Sequence, residues 1–290
     1  MRRFVTMITI TELNEWVVLA LKEDVGEGDH STLCSIDASA RSKAVLKIKQ
    51  DGIIAGIAVA RAIFYHVDPS MIFKQFVKDG ESVQNGALAF EVEMGVHGIL
   101  QSERLVLNTM QRMSGIATLT KKYADKIVPY KTKLLDTRKT TPLFRLFEKE
   151  AVRLGGGCNH RFGLYDMIML KDNHIDYCGS ITKALLLAKE YVLKNKPGMK
   201  IEIETRNISD VQEVMEAGGA DRIMLDNFTP AEIQAALKII NHQAETEASG
   251  GIHLDNIISF AETGVDFISC GALIHQAQSI DLSLKAVINN

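Results

Sequence analysis

The stretch KIEIETRNISDVQEVMEAGGADRIMLDN, residues Lys200–Asn227, decides how the chain folds. It runs from a short apolar strand pattern through an amphipathic helical stretch, past Gly218 and Gly219, into a second short strand pattern. Strand, helix, strand at that length is the βα repeat, in which successive strands lie parallel. The same rhythm recurs on both sides of it. Strand candidates are KLLDT (133–137), DMIMLKDNH (166–174), KIEIET (200–205), DRIMLDN (221–227), ETEASGG (245–251) and DFISCGA (266–272). Helical stretches such as ITKALLLAKEYVLKN and PAEIQAALKIINHQA separate them. The series predicts an α/β fold with a TIM-like β/α barrel, complete or missing a unit. A doubly wound sheet is the alternative, but no G-x-G-x-x-G follows the first strand.

Every strand candidate ends in polar residues or glycine: Asp136-Thr137-Arg138-Lys139, Lys171-Asp172-Asn173-His174, Glu204, Asp226-Asn227, Ser249-Gly250-Gly251 and Gly271. In a β/α barrel the carboxyl ends of the strands surround one mouth, where the chemistry gathers. The sequence therefore predicts a single site.

Upstream the pattern is different. TELNEWVVLALKE (11–23) has Leu13, Trp16, Val17, Ala20 and Leu21 at helical spacing, with Thr11 as its expected cap, and DVGEGDHST (24–32) reads as a turn. AVLKIKQDGIIAG, a helix around VARAIFYHV, and QFVKDGESVQNGALAFEVEMGVHGIL follow, with D-G and N-G turns between alternating strands. Such turns also occur in carrier domains for biotin or lipoate, but FEVEMGVHG has no lysine to modify. SERLVLNTMQRMSGIATLTKKYADKI (102–127) reads as a long helix hinging two domains. The expected division is an N-terminal α/β sandwich over 1–113, joined by the tail 277–290, and a barrel over 114–276.

The 290 residues are 46% hydrophobic and 24% charged, with a formal charge of −3. That balance argues against nucleic acid or an anionic membrane as partner, so any anion site is local. The opening MRRFVTMITI and the Gly-broken GIIAGIAVA support neither a signal peptide nor a membrane span. Four scattered cysteines with no C-x-x-C pair read as reduced thiols of a cytoplasmic protein rather than a zinc site.

Arg138, Lys139, His160, Arg161 and Lys171 put five potential cations around the mouth. Like charges in a cleft destabilise one another unless a multiply anionic ligand neutralises them. Arg offers a fork for a carboxylate and Lys a point charge for phosphate. Alternation places Glu202 and Glu204 on the same side of their strand, Glu204 nearer the mouth. With Asp226 it either holds a hard metal ion, stabilises positive charge, or merely pairs the lysines and arginines. Two glycine turns, in ASGGI and SCGAL, fit a phosphate held by backbone N–H groups. GGGCNHR (155–161) reads as a mobile loop or a close backbone approach. The residues alone thus point to a substrate carrying both carboxylate and phosphate groups.

DTRKTTP, EKEAVRLGGGCNHRFGLYDMIMLKDNHI, IEIET, IMLDNF, SGGI and GVDFISCGALIH, together with KEDVGEGDHST and SERLVLNTMQRMSGIAT, resemble the quinolinate phosphoribosyltransferase (nicotinate-nucleotide pyrophosphorylase) family. The resemblance implies a transferase of NAD biosynthesis. It joins quinolinate to phosphoribosyl pyrophosphate with Mg²⁺ and releases CO₂, pyrophosphate and nicotinate mononucleotide. It implies an N-terminal α/β sandwich with an open barrel, and a homodimer or a hexamer built of dimers whose sites are shared between chains. It places quinolinate on Arg138, His160, Arg161 and Lys171, with Arg104 from the partner chain. It places phosphoribosyl pyrophosphate on Lys139, Glu204, Asp226, Ser249, Gly250, Gly251, Gly271 and His275, and metal near Glu204 and Asp226. Lys139, Lys171, Glu204 and Asp226 become the catalytic set. One departure stands out: the family reads T-T-P-G-x-R, whereas Pro142 here is followed by Leu143 and Phe144. The rival readings are an aldolase or synthase for a phosphorylated sugar, with Lys171 as Schiff-base lysine, a phosphoribosyltransferase for nicotinate itself, and a non-enzymatic paralogue.

Overall fold

The computed structural model describes residues 10–287, so all of MRRFVTMITI except Ile10, and the last three residues of the tail, lie outside the described residues. In chain order the elements of the first half are α1 (Ile10–Val25), α2 (His30–Ser35), β1 (Arg41–Ile48), β2 (Gly52–Ile53), α3 (Ile57–Val67), β3 (Ile72–Gln75), β4 (Ser82–Val83), β5 (Leu88–Gly95) and α4 (Val96–Ile127). Then follow β6 (Lys133–Leu135), α5 (Arg145–Leu154), β7 (Ile168–Leu170), α6 (Asp172–Cys178), α7 (Ile181–Asn195), β8 (Ile201–Thr205), α8 (Ile208–Ala217), β9 (Arg222–Asp226), α9 (Pro230–Ile240), β10 (Glu245–Ser249), α10 (Ile257–Ala261), β11 (Phe267–Ser269), α11 (Ala272–His275) and β12 (Leu282–Val287).

These elements fall into two units. One contains the chain up to Lys121, Thr141–Gly156 and everything from Gln276; the other contains Lys122–Thr140 and Gly157–His275. Relative to the division expected from sequence, the stretches 114–121 and 141–156, and Gln276, group with the first unit rather than with the barrel.

The first unit is built on an antiparallel sheet in the order β12-β1-β5-β3. In β1, Ala44, Leu46 and Ile48 are buried while Lys47 is exposed, the period-two alternation of a half-buried strand. Phe90 of β5 meets Phe64 of α3 edge-on at 6.0 Å between ring centroids, which anchors the core between sheet and helix. Three local expectations change. Thr11 lies inside α1 and does not cap it. The expected turn shortens because Asp29 accepts the Thr32 N–H at 3.2 Å and starts α2. The strand region stops at Gly95, and VHGIL opens α4 six residues earlier than Ser102, with Ser102 Oγ donating to Gly98 O inside the helix at 2.6 Å.

Leu143 resolves the departure after Pro142. Its φ is +60°, the left-handed conformation that favours glycine, and its side chain is 87% exposed. The loop keeps a glycine-like backbone although leucine occupies it. Behind it, fully buried Glu148 of α5 accepts the Thr141 N–H at 2.8 Å and pairs with Arg112 at 2.9 Å.

The second unit is the open α/β barrel: six parallel strands in the order β6-β11-β10-β9-β8-β7, with β6 and β7 as its edges. Ile203, Ile223, Leu225, Ala248 and Ile268 have no exposed surface, as expected for strands covered on both faces. The DMIMLKDNH segment is strand only over Ile168–Leu170; Lys171 is the N-cap of α6, so Asp172-Asn173-His174 form a helical first turn rather than a strand end. Beside β6 the chain supplies a single bridge in place of a ladder. Cys158 N–H donates to Leu134 O at 2.7 Å, and Asp136 N–H donates to Cys158 O at 3.1 Å. That bridge fixes where the following residues, His160 and Arg161, begin.

Candidate active site

Because the six strands are parallel, their carboxyl ends lie on one edge. Lys171, leaving β7, donates from Nζ to Glu204 Oε2 of β8 at 2.9 Å; Glu204 is nearly buried, the lysine half-exposed. Asp226 closes β9, which pairs in register with β8. Burial and then the charge of Glu204 push the Asp226 carboxyl up, with Lys171 opposing. Asn227, at φ +59°, donates from Nδ2 to Asp226 Oδ2 at 2.7 Å and from its backbone to Ser249 O at 2.8 Å. Gly250 sits at φ +92° against Asn227, where a side chain would collide. Lys171, Glu204, Asp226, Asn227, Ser249 and Gly250 therefore form one continuous line across four strands.

A second cluster gathers after β11. A Cβ on Gly271 would lie 3.0 Å from Lys139 Cδ and 3.1 Å from His275 Nε2. The bare backbone of Gly271 thus faces a lysine and a histidine, the surroundings a phosphate requires.

The arginines form a third. Burial and the neighbouring charge of Arg138 push the Arg161 guanidinium down. Arg138 Nε is buried and has no hydrogen-bond partner among the described residues. Arg161 Nη1 donates to Met167 O at 3.1 Å. Two guanidinium groups thus crowd one another with a donor left over.

Beneath them lies a buried polar floor. Asp136, with no exposed surface, accepts the His160 N–H at 2.8 Å and Asn159 Nδ2 at 2.6 Å. The His160 ring is enclosed: Nδ1 accepts the Arg161 N–H at 2.6 Å, and Nε2 lies 3.1 Å from Glu202 Oε2 and 3.3 Å from Glu247 Oε2. Arg222 Nη1 donates to Glu247 Oε2 at 3.1 Å. Burial opposes a charged His160, but the adjoining carboxylates of Glu202 and Glu247 outweigh it and push its pKa up to about 9. Burial also pushes Glu202 up, while His160 and Arg222 hold Glu247 low against its burial. An Nδ1 that accepts an N–H carries no proton of its own, so the extra proton is shared on the Nε2 side, between ring and Glu202.

His160 therefore lies in the floor and not on the rim where a rim cation would stand. Glu247 and Arg222 were missed by sequence reasoning, and Asp136 and Asn227 were read only as polar strand ends without a role. Glu247 carried a signal, since alternation along ETEAS sets it on the same side as Ser249, just as Glu202 shares a side with Glu204. Arg104 belongs to the first unit, on α4. It is well exposed, lies 3.6 Å from Glu103, and lines a cavity of about 800 Å³ with Trp16, Asn108 and Phe144.

Cations and bare glycine backbone at the carboxyl edge of a parallel sheet define a β/α-barrel enzyme for phosphorylated anions. The chain matches the family model "Quinolinate phosphoribosyl transferase, C-terminal domain" over residues 116–285 and the corresponding N-terminal domain over 29–114. It belongs to the quinolinate phosphoribosyltransferase family. It is 44% identical over 289 residues to quinolinate phosphoribosyltransferase (decarboxylating) 1b of Nicotiana tabacum, covering 94% of this chain and 82% of that protein. A probable nicotinate-nucleotide pyrophosphorylase (carboxylating) of Synechocystis is 41% identical, covering 96% and 93%. The crystal structure of NadC from Streptococcus pyogenes superposes with a TM-score of 0.90 at 38% identity, over 98% of this chain and 100% of that one.

Proposed function

We propose that the protein transfers phosphoribosyl from phosphoribosyl pyrophosphate to quinolinate with decarboxylation, giving nicotinate mononucleotide, CO₂ and pyrophosphate for NAD biosynthesis. The observation that carries this reading is the arginine pair: Arg138 Nε buried without a partner beside a crowded Arg161. Adjacent carboxylates on one ring satisfy both guanidinium groups at once. Lys171 adds a third positive charge, already turned towards Glu204.

The ring nitrogen of quinolinate attacks the anomeric carbon of the sugar as pyrophosphate leaves. Glu204 and Asp226 face the positive charge that develops on the sugar, and Lys139 and Lys171 the negative charge that develops on the leaving group. Gly250, Gly251 and Gly271, with Ser249 and His275, receive the 5-phosphate. Once glycosylated, the ring nitrogen is cationic. The neighbouring carboxylate departs as CO₂, leaving its electron pair on the ring carbon, where the cation stabilises it until solvent supplies a proton. That step asks the enzyme for position and exclusion of water rather than for an acid or base. Two mutually repelling carboxylates, with Asp226 pushed up by Glu204, are a hard-oxygen donor set that suits Mg²⁺. Glu204 and Asp226 would hold it, and it would neutralise charge on the pyrophosphate.

The homodimer, or hexamer of dimers, belongs to this reading, with exposed Arg104 contributed to the partner's site. So does a cytoplasmic location. The four free cysteines agree with it, and no helix among the described residues is long and apolar enough to cross a membrane. Relatives named as mitochondrial or chloroplastic show that the family is not tied to one compartment.

The test is direct. Protein, quinolinate, phosphoribosyl pyrophosphate and Mg²⁺ are mixed, and CO₂ and nicotinate mononucleotide are measured against nicotinate as the alternative acceptor. Equal amounts of both products with quinolinate, and none with nicotinate, are expected. Turnover of nicotinate alone would replace this reading with its nearest rival.

A further inference from the structure

The residues under the cationic rim have no task in the reaction as described. Glu202 and Glu247 have no exposed surface, so neither reaches a substrate. They rise from β8 and β10, with β9 between them. Both lie against one ring, with Nε2 of His160 at 3.1 and 3.3 Å, and Glu247 is steadied in addition by Arg222. The opposite side of that ring, Nδ1, accepts the backbone N–H of Arg161 at 2.6 Å. A rigid imidazole therefore spans from two interior carboxylates to the peptide that carries a rim arginine.

That span has a physical purpose. The 157–161 segment is fastened to β6 by the Cys158 bridge and by Asp136, and β7 gives it no ladder. Arg161 is also repelled by Arg138 and attracted by Glu202. Without an anchor beneath it, Arg161 would relieve the repulsion by turning towards water, and each binding event would then have to order it again. The three groups also resemble a metal-binding set, their ligating atoms lying within 4.8 Å of one another. Arg222, 3.1 Å from Glu247, already supplies the positive charge that such an ion would bring. A strut fits better than a metal site.

We propose that Glu202 and Glu247 are positioning residues, which act through the His160 ring to hold Arg161 beside Arg138 in the geometry a dicarboxylate requires. The inference rests on the reading of that arginine pair as the quinolinate site. It gives His160 a structural task in place of direct contact with the ligand.

The experiment is a double-mutant cycle read by equilibrium binding of quinolinate and of phosphoribosyl pyrophosphate. Glu247→Gln is expected to weaken quinolinate about tenfold and to leave phosphoribosyl pyrophosphate within about twofold. In an Arg161→Lys background the same change should cost nothing further, because the residue it positions has gone. Additive losses in the double variant, or equal losses for both ligands, overturn the proposal. Glu202→Gln serves as the second variant, with the same outcomes. Nitrogen-15 spectra of histidine-labelled wild-type protein need no substitution at all. The Nδ1 of His160 should remain unprotonated with and without quinolinate, and a proton on Nδ1 overturns the strut. Wild-type protein that fails to bind quinolinate removes the function itself. Normal binding by wild type and Glu247→Gln alike removes the strut alone.

Discussion

Between pH 6 and pH 9 the β/α unit should lose about 3 kcal/mol of stability through one buried ring. The proton that His160 ordinarily binds near 6.5 is held in the native cluster up to about 9, on the Nε2 side shared with Glu202, because the two carboxylates outweigh the burial that opposes charge. Arg222 pairs with Glu247, the charge of Arg161 acts on Glu202, and Asp136 holds the backbone of His160. The unfolded chain releases the proton near pH 6.5, whereas the native cluster keeps it to about pH 9. The stabilisation is therefore complete below 6.5 and disappears as pH rises through 9. At about 1.4 kcal/mol for each tenfold difference in proton affinity, the gap is worth about 3 kcal/mol. Urea unfolding followed by far-ultraviolet circular dichroism at pH 6, 7.5 and 9, at fixed ionic strength, measures it. Helical signal is the better probe because the single tryptophan, Trp16, belongs to the first unit. The midpoint should fall across the series with an unchanged denaturant slope, and Glu247→Gln should flatten the fall. A wild-type midpoint that stays level or rises from 6.5 to 9 would refute the reasoning. So would a variant that falls as steeply as wild type.

Other expectations follow from single residues. Arg138→Ala should raise the quinolinate dissociation constant about tenfold to a hundredfold, the worth of a charge-assisted hydrogen bond, while leaving urea stability unchanged or higher because its repulsion of Arg161 goes. Calorimetric titration checks it, and an unaltered affinity removes Arg138 from the site. Glu204→Ala should lower kcat at least about tenfold, since charge developing on the sugar loses its partner and Lys171 its tether; full turnover would dismiss Glu204. Leu143→Gly should stabilise by roughly 0.5–1 kcal/mol, because relief of left-handed strain exceeds the added entropy of the unfolded chain. A lower urea midpoint would show that the leucine side chain holds the loop.

Much of this architecture was legible in residue order, because a βα repeat writes its period into the chain. KIEIET and DRIMLDN became β8 and β9 nearly as bounded, and Glu204, Asp226, Ser249 and Gly271 sit at strand ends as expected. The exceptions share a cause: contacts from remote segments overrode a local pattern. His160 reads as a rim cation in GGGCNHR, yet Asp136, Glu202 and Glu247, distant in sequence, draw it into the floor. Glu247 looks like surface charge until the sheet folds over it. Leu143 breaks a glycine pattern without breaking the backbone, since φ is set by the anchored neighbours Thr141 and Phe144 as well as by the side chain. The opening of α4 at Val96 was hidden because VHGIL continues the apolar character of β5.

The pairing of β12 with β1, from Lys43 opposite Val287 to Ile48 opposite Leu282, has a bearing on biosynthesis. A nascent chain emerging from the ribosome exposes the free margin of β1 throughout synthesis of the whole inserted barrel, because the strand that seals it follows the barrel in the chain. A chain lacking β12 would thus carry its β/α unit beside an amino-terminal sheet with an adhesive flank.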